Sequence, residues 1–388
     1  MKAAVIHGPR NVQYDTVDDP IIQNNRDIIL KVTATAICGS DLHIYSGGIP
    51  QPKPMVLGHE FMGIVEETGK SITNLKKGDR VVVPFPIACG GCFFCKHDSP
   101  VNCEHSNSNY GPEGGLLTEK GGALFGYTDL YGGYDGGQAQ YVRVPYADYG
   151  PRLVPDNLTD EQVLFLTDIF PTGYTGIDWG NLQGGETVAI FGSGPVGIMA
   201  AKSAVLCGAG HVIIVDTLQY RLDKAAAAAG VDTVLWEDDG KNAIEYIRSK
   251  TNNRGADLCV EAVGFEPDRT FFDKAKAVIN MESGSTKVLE ACISAVRRNG
   301  TLSILGVYPT PYDNFPVGQI FDKGITIKCG QAPVHKYIDT LLDHVQSGRV
   351  RLDDVITHRL PLSEIAKGYD IFKKKEDNCV KVVLDPWS

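Results

Sequence analysis

Gly192-Ser193-Gly194-Pro195-Val196-Gly197 stands directly after an apolar run, Thr187 to Phe191, and opens a helix-like stretch, Pro195 to Leu206. A G-x-G-x-x-G pattern means little alone, but between a strand and a helix it constrains the chain to a strand–tight turn–helix unit. Gly192 permits the tight turn, Gly194 lets the backbone approach a pyrophosphate, and Gly197 lets the helix pack on the sheet. Pro195 suits the first helical turn, where its missing N–H is not needed. The helix N-terminus, from Pro195 and Val196 onward, presents N–H groups and a positive partial charge to an anion. Asp216 ends the next apolar run, nineteen residues after Gly197. A carboxylate there accepts from a ribose 2′-OH and repels a 2′-phosphate, which favours NAD over NADP. Arg221, one helical turn on, is a candidate for the adenosine end, with an exposed helix charge as the alternative.

The surrounding rhythm extends the same architecture. Apolar strands are expected at Val212 to Val215, Ala256 to Val260, Thr301 to Leu305 and Ile325 to Ile327. A helix from Leu218 to Ala229 ends at Gly230. Alternating strands and helices predict an α/β, doubly wound parallel sheet. The first 150 residues read differently. Ile28 to Ile37 alternates, and Phe61 to Glu67, Arg80 to Pro84 and Gln138 to Val144 are short strands bounded by Gly, Pro and Asp. They predict an antiparallel barrel-like unit. From about Ala332 the chain reads as two helices and a last strand, Val380 to Leu384. Glu266 to Thr286 is read as an insertion near the nucleotide, since connections inside α/β units are usually short.

Cys89, Cys92, Cys95 and Cys103 lie at spacings of three, three and eight. Four thiolates so close can enclose one tetrahedral Zn²⁺ with no open position, a structural site. An iron–sulfur cluster is the alternative; the wide last spacing and the lack of Pro after Cys103 argue against it. Free thiols are a third reading. Cys38 and His59, each beside glycine at a strand end, are candidates for a second, open site, which needs three protein ligands and one exchangeable position. Spacing alone does not supply the third.

Of 388 residues, 37 are Lys or Arg and 47 are Asp or Glu, a formal net charge of −10. No long basic block is present, so nucleic acid is a poor partner. Lys373-Lys374-Lys375 is read as a solvated helix end. Met1-Lys2 runs straight into a strand and turn, and no apolar stretch is long enough for a bilayer. The expectation is a cytoplasmic protein without membrane contact, whose ten cysteines are thiols or ligands rather than disulfides.

Over essentially its whole length the chain resembles the zinc-dependent medium-chain alcohol dehydrogenases. The matching motifs are Cys38-Gly39-Ser40-Asp41-Leu42-His43, Gly58-His59-Glu60, the four-cysteine lobe and the Gly192 turn. The resemblance implies a GroES-like catalytic domain, 1–169 and 332–388, and a Rossmann NAD-binding domain, 170–331, with substrate in the cleft between them. It implies two zinc ions per chain, catalytic and structural. In that family the third catalytic ligand lies four residues before a Thr-Gly pair that contacts nicotinamide. Here the pair is Thr172-Gly173, so the ligand position is Asp168. Many relatives have cysteine there; a Cys/His/Asp set makes a harder site. Thr172, Val263 and Gly306 join the turn as nucleotide contacts. Ser40 resembles the family's first proton-relay hydroxyl and His43 the later, solvent-facing base. Asp41 is expected to hold the unligated His59 nitrogen, with a turn cap as the alternative. Glu60 either approaches the metal during ligand exchange or is a structural carboxylate.

A narrower resemblance, to the glutathione-independent formaldehyde dehydrogenase and dismutase branch, rests on Gly126-Tyr127, Gly136 through Val142, Val144 through Asp148 and Asp168 through Tyr174. It implies hydride transfer between an alcohol or hydrated aldehyde and NAD, in a homotetramer or a dimer. A polyol or threonine dehydrogenase on the same scaffold is the first alternative, and a non-enzymatic zinc and nucleotide-binding regulator the second. Ile44, Tyr45, Phe85, Phe94 and Tyr110 are candidates to shape the substrate pocket.

Overall fold

The computed structural model describes residues 1–108, 110–111, 120–264, 285–308 and 315–388. They form two compact units, Met1–Pro171 with Ala332–Ser388, and Thr172–Gln331. Among the described residues no helix is long and apolar enough to cross a membrane.

In the first unit the strand Ile28–Ile37 is the centre of a seven-stranded sheet. It pairs antiparallel with Glu60–Thr68, Tyr141–Val144 and Val382–Asp385. The strict alternation expected for it holds only at Lys31 and Thr33; the rest is buried on both faces. One face carries Ile28, Leu30 and Val32 into the core with Phe61, Val65, Val81 and Val142, and the other is partly covered, Lys31 by Trp387 and Thr33 by Asp160. The unit is not wholly antiparallel, because His358–Pro361 pairs parallel to Val382–Asp385. The strand expected from Gln138 begins only at Tyr141. Gln138 bonds instead to Leu57 and Ala4, and Gln140 bridges Lys2 and Val32, so the segment crosses from a neighbouring sheet to the central strand. The last strand starts at Val382 and not Val380, since Thr357 Oγ1 takes the N–H groups of Val380 and Lys381.

The second unit carries a six-stranded, all-parallel sheet. Its order is Asp232–Leu235, His211–Asp216, Thr187–Phe191, Ala256–Glu261, Val296–Ile304, Thr326–Cys329. Numbered from Thr187–Phe191 this is 3-2-1-4-5-6, the Rossmann order, with its switch point beside the Gly192 turn. The central strands are continuous apolar runs because helices cover both faces. Pro195–Leu206 is buried all round from Gly197 to Ala204, so it shows no amphipathic stripe. The insertion read at Glu266 to Thr286 lies outside the described residues, apart from the first turn of the helix Ser285–Ala295.

Back in the first unit, the helix Val334–Gln346 buries Val334, Tyr337, Ile338, Leu341 and Val345 along one stripe. His335 on the same helix is 5% exposed. Its ring stacks on Tyr149 at 5.1 Å and 12°. Neither ring nitrogen has a hydrogen-bond partner among the described residues. Burial, reinforced by Arg152, pushes His335 down to about 3. The unfolded chain takes up that proton near pH ~6.5. Stability from the neutral ring is therefore complete above that pH and falls as the pH drops toward the folded value. His335→Phe keeps the stack and removes the proton site. Between pH 6 and 4 its urea stability should decline less steeply than wild type, by up to about 1.4 kcal/mol per pH unit. Equal slopes would show that His335 is protonated in the folded protein.

Candidate metal centres and nucleotide turn

Cys38 leaves the end of the central strand Ile28–Ile37, where the chain turns into the short helix Asp41–Tyr45. The turn is held by Asp41, whose Oδ2 accepts from the Cys38 N–H at 3.0 Å. His59 enters from a turn made possible by Gly58, at φ +99°. A Cβ there would sit 2.4 Å from Gln138 Cγ, so no other residue fits without displacement. Asp168 lies 109 positions after His59, between the tight turn Leu164–Thr167 and the helix Ile169–Asp178.

These three segments bring Cys38, His59 and Asp168 together in the core of the first unit. Asp168 Oδ2 is 3.3 Å from Cys38 Sγ and 3.2 Å from His59 Nε2. Tetrahedral zinc at usual bond lengths sets such ligand atoms about 3.4–3.6 Å apart. Ser40 Oγ is 3.1 Å from the same His59 Nε2. Asp41 Oδ1 lies 3.2 Å from His59 Nδ1, bent away from hydrogen-bond geometry. His43 is half-buried on the same short helix. Phe85 and Tyr127 set their rings edge-on to the His59 ring, each at 6.0 Å. Of the other pocket candidates, Ile44 is buried and Tyr45 packs on Tyr369. Phe94 packs on the four cysteines instead, and Tyr110 is exposed.

Glu60 completes the cluster, with a ligand atom within 4.8 Å of the other three. It is fully buried against Lys381, also fully buried, with Nζ 2.6 Å from Oε2 and 2.8 Å from Oε1. Lys381 also donates to Ile37 O at 3.0 Å. The electrostatics ask for one more positive charge. Burial, then Asp168 and Glu60, push the Cys38 thiol up to about 12. Burial pushes Glu60 up to about 7 despite Lys381. Burial alone would lower His59, but Asp41 and Cys38 outweigh it and hold it well above its ordinary value. Three acidic groups around one imidazole, shut off from water, repel one another unless a cation neutralises them. The donor set therefore suits a divalent metal, and its sulfur, nitrogen and oxygen suit zinc.

The second cluster is built locally. Cys89, Cys92, Cys95 and Cys103 are all buried, with ligand atoms within 4.8 Å of one another. Cys89–Cys95 and Cys92–Cys103 sulfurs are 4.0 Å apart. A tetrahedral zinc thiolate site has S···S near ~3.8 Å. The N–H groups of Gly91 and Cys89 point at Cys89 Sγ and Cys103 Sγ, at 3.4 and 3.3 Å. Hydrogen bonding from Cys95 pulls Cys103 down to about 4 and in return pushes Cys95 up. No cysteine is in a disulfide.

In the second unit, Gly192 has φ +102°, and a Cβ on it would meet Val263 at 2.8 Å. A Cβ on Gly197 would lie 1.8 Å from Gly192 O, which is why the helix starts so close to the turn. Gly194 is the N-cap and Pro195 and Val196 the first helical residues. Asp216 Oδ2 accepts from Ser193 N at 2.7 Å and Oδ1 from Leu218 N at 2.9 Å, so it braces the turn as well as facing it. Arg221 Nη1 is 4.0 Å from Asp216 Oδ2. Thr172 is half-buried on the helix Ile169–Asp178, and Gly173 beside it packs on Ala200. Val263 and Gly306 meet at a residue not singled out from sequence. Buried Glu261 accepts from Val263 N and Gly264 N, each at 2.8 Å, and its carbonyl accepts from Gly306 N.

Lys381, Gln138, Tyr127, Tyr369 and Glu261 were not legible as site residues. Lys381 and Glu261 did leave a signal, a charge set in an apolar strand: Cys379-Val380-Lys381-Val382-Val383 and Leu258-Cys259-Val260-Glu261.

Comparison with known proteins agrees with this geometry. Residues 24–155 match the family model of the alcohol dehydrogenase GroES-like domain, and 195–273 that of zinc-binding dehydrogenases. The zinc-type alcohol dehydrogenase-like protein AdhB of Bacillus subtilis (strain 168) is 43% identical over 389 residues, 100% of each chain. A glutathione-independent formaldehyde dehydrogenase of the same organism is 36% identical, over 92% of this chain and 86% of that one. The alcohol dehydrogenase TADH from Thermus sp. ATN1 superposes with a TM-score of 0.84 at 36% identity, covering 99% of both. The chain belongs to the zinc-type, medium-chain alcohol dehydrogenase family, oxidoreductases that act on CH–OH donors.

The Glu60–Lys381 pair gives a direct test of the buried charge balance. Lys381→Met leaves Glu60 without its cation and should destabilise the fold by about 3–5 kcal/mol in urea unfolding. Lys381→Arg keeps the charge and should lose clearly less. Equal losses for the two variants would mean that size rather than charge sets the site.

Proposed function

We propose that the chain is an NAD-dependent alcohol and aldehyde dehydrogenase of the formaldehyde dehydrogenase and dismutase type, with one catalytic and one structural zinc per chain. The observation that carries this reading is the meeting of Cys38, His59 and Asp168 beside the Ser40 hydroxyl, at 3.1–3.3 Å. When bound, zinc supplies a Lewis acid that favours ionisation of a substrate hydroxyl, and NAD supplies the hydride acceptor.

The chain's own residues do the rest. Cys38, His59 and Asp168 hold the metal, and Asp41 holds the outer nitrogen of His59. Ser40 takes the proton lost by the substrate while giving up its own hydroxyl proton, which His43 passes to solvent. Phe85 and Tyr127 exclude water around His59, which strengthens every charge interaction there. Glu60, neutralised by Lys381, balances the ligand set from behind. A geminal diol, the hydrate of an aldehyde, presents the same hydroxyl to Ser40 and gives the acid as product. Cys89, Cys92, Cys95 and Cys103 fasten their loop through the second zinc. The Gly192 turn takes the pyrophosphate, Asp216 the adenosine ribose, and Thr172, Arg221, Val263 and Gly306 line the remainder. Ten free cysteines suit a cytoplasmic enzyme, and the family resemblance favours a homotetramer.

Steady-state kinetics over formaldehyde, short primary alcohols, benzyl alcohol, a sugar alcohol and threonine test the substrate class, with zinc measured on the same sample. Turnover of simple alcohols or formaldehyde with about two zinc per chain is expected. Preference for the sugar alcohol or threonine would move the assignment to a polyol or amino-acid dehydrogenase. The cofactor has its own check. Asp216 beside a 2′-phosphate should make kcat/KM for NADP on the order of 100-fold lower than for NAD. Comparable values would remove Asp216 from that role.

A further inference from the structure

Behind the metal ligands runs a second line of polar side chains that the reaction as described does not use. Gln138 is fully buried. Its backbone is clamped on both sides, N–H to Leu57 O at 3.0 Å and carbonyl to Ala4 N at 2.8 Å. Its side-chain stem lies against Gly58, in the turn that delivers His59. At its tip, Nε2 donates to Ala36 O at 3.1 Å and to Asp41 Oδ2 at 3.3 Å, and Oε1 accepts from the Tyr369 hydroxyl at 3.0 Å. Tyr369 is also fully buried, on the helix Ile365–Lys374, and its ring packs on Tyr45 at 5.1 Å.

The chemistry of the partners leaves one arrangement. Ala36 O and the Asp41 carboxylate only accept, so both must face the amide nitrogen, and its two hydrogens are then used up. The amide oxygen faces Tyr369, whose single hydrogen is used in turn. Asp41 Oδ2 receives two donors, Cys38 N and Gln138 Nε2. That pins the carboxylate plane and leaves Oδ1 for His59 Nδ1, 3.2 Å away. The negative charge beside Nδ1 favours the proton there and leaves Nε2, the nitrogen that faces Asp168 and Ser40, bare.

Resting on the zinc reading above, we propose that Gln138 and Tyr369 are positioning residues of the catalytic metal site. They act through Asp41 to fix the rotation and tautomer of His59. Asp41 alone, with only Cys38 N on Oδ2, is free to turn about its last side-chain bond; the amide prevents this. Tyr369 prevents the amide from turning in its place. Buried hydrogen-bonded chains of this kind orient their members more firmly than any one pair does.

The readout is release of zinc to a chelator from the purified full-length protein. The phase missing from a Cys38→Ser variant identifies the catalytic site, and the remaining phase, from the four cysteines, is the internal control. Gln138→Leu should speed the catalytic phase about ten-fold or more, the range found when partners behind a metal ligand are removed. The control phase should not move. Tyr369→Phe, which preserves the packed ring, should speed the catalytic phase a few-fold. The double variant should match Gln138→Leu within about two-fold, because Tyr369 works through the amide.

Equal acceleration of both phases, or an unchanged catalytic phase in Gln138→Leu, would reduce these residues to general packing. Strictly multiplicative effects in the double variant would uncouple Tyr369 from Gln138. Should Gln138→Leu fail to fold, an unchanged catalytic phase in Tyr369→Phe is by itself enough to discard the proposal. A wild-type protein that loses no zinc phase on Cys38→Ser would strike the metal reading itself, a distinguishable result.

Discussion

Everything around Cys38 depends on concentrating negative charge where water cannot reach it. A thiol, two carboxylates and an imidazole share a few ångströms in the core of the first unit, and one lysine stands behind them. Without a metal the cheapest response is to keep protons, which is why Cys38 and Glu60 are pushed upward. With a divalent ion the same groups become ligands and counter-charge. The apolar surroundings that make the bare cluster costly also make the cation's field strong once it is there. Site and fold thus answer to one balance of charge against burial.

The C-terminal segment earns its place by completing that balance. After the second unit the chain returns to lay Val382–Asp385 beside the central strand Ile28–Ile37. In doing so it brings Lys381 to Glu60 and Tyr369 to Gln138. One contact supplies charge and the other direction. The second unit is organised by buried carboxylates too, but they serve backbone. Asp216 takes up the Ser193 N–H within the glycine turn, and Glu261 those of Val263 and Gly264 beside it.

What could be read from the chain divides by distance along it. The four cysteines are one local loop, and the glycine turn is one strand–turn–helix, so spacing alone locates both. Cys38 and His59 were visible as candidates from their settings. Asp168 was reached only through a family resemblance, because nothing in its own segment marks it as a ligand. The alternation expected across Ile28–Ile37 survived only at Lys31 and Thr33. Periodicity reports solvent, and the outer face of this strand is largely covered by the chain around Trp387 and Asp160. Gln138 was read as part of a strand; its backbone bonds to other segments and its amide donates to Asp41, beside His59.

The sequence by itself determined the class of each unit, the local four-cysteine lobe and the glycine turn. These rest on short-range rules: backbone freedom at glycine, ligand spacing, and the period of apolar residues. Only the tertiary structure decided that Glu60 joins Asp168 beside the Cys38 thiol, that Lys381 answers Glu60, and that Tyr369, 231 positions from Gln138, stands behind Asp41. Such meetings come from chain return and strand register, where a buried charge finds its partner through space and leaves no periodic mark.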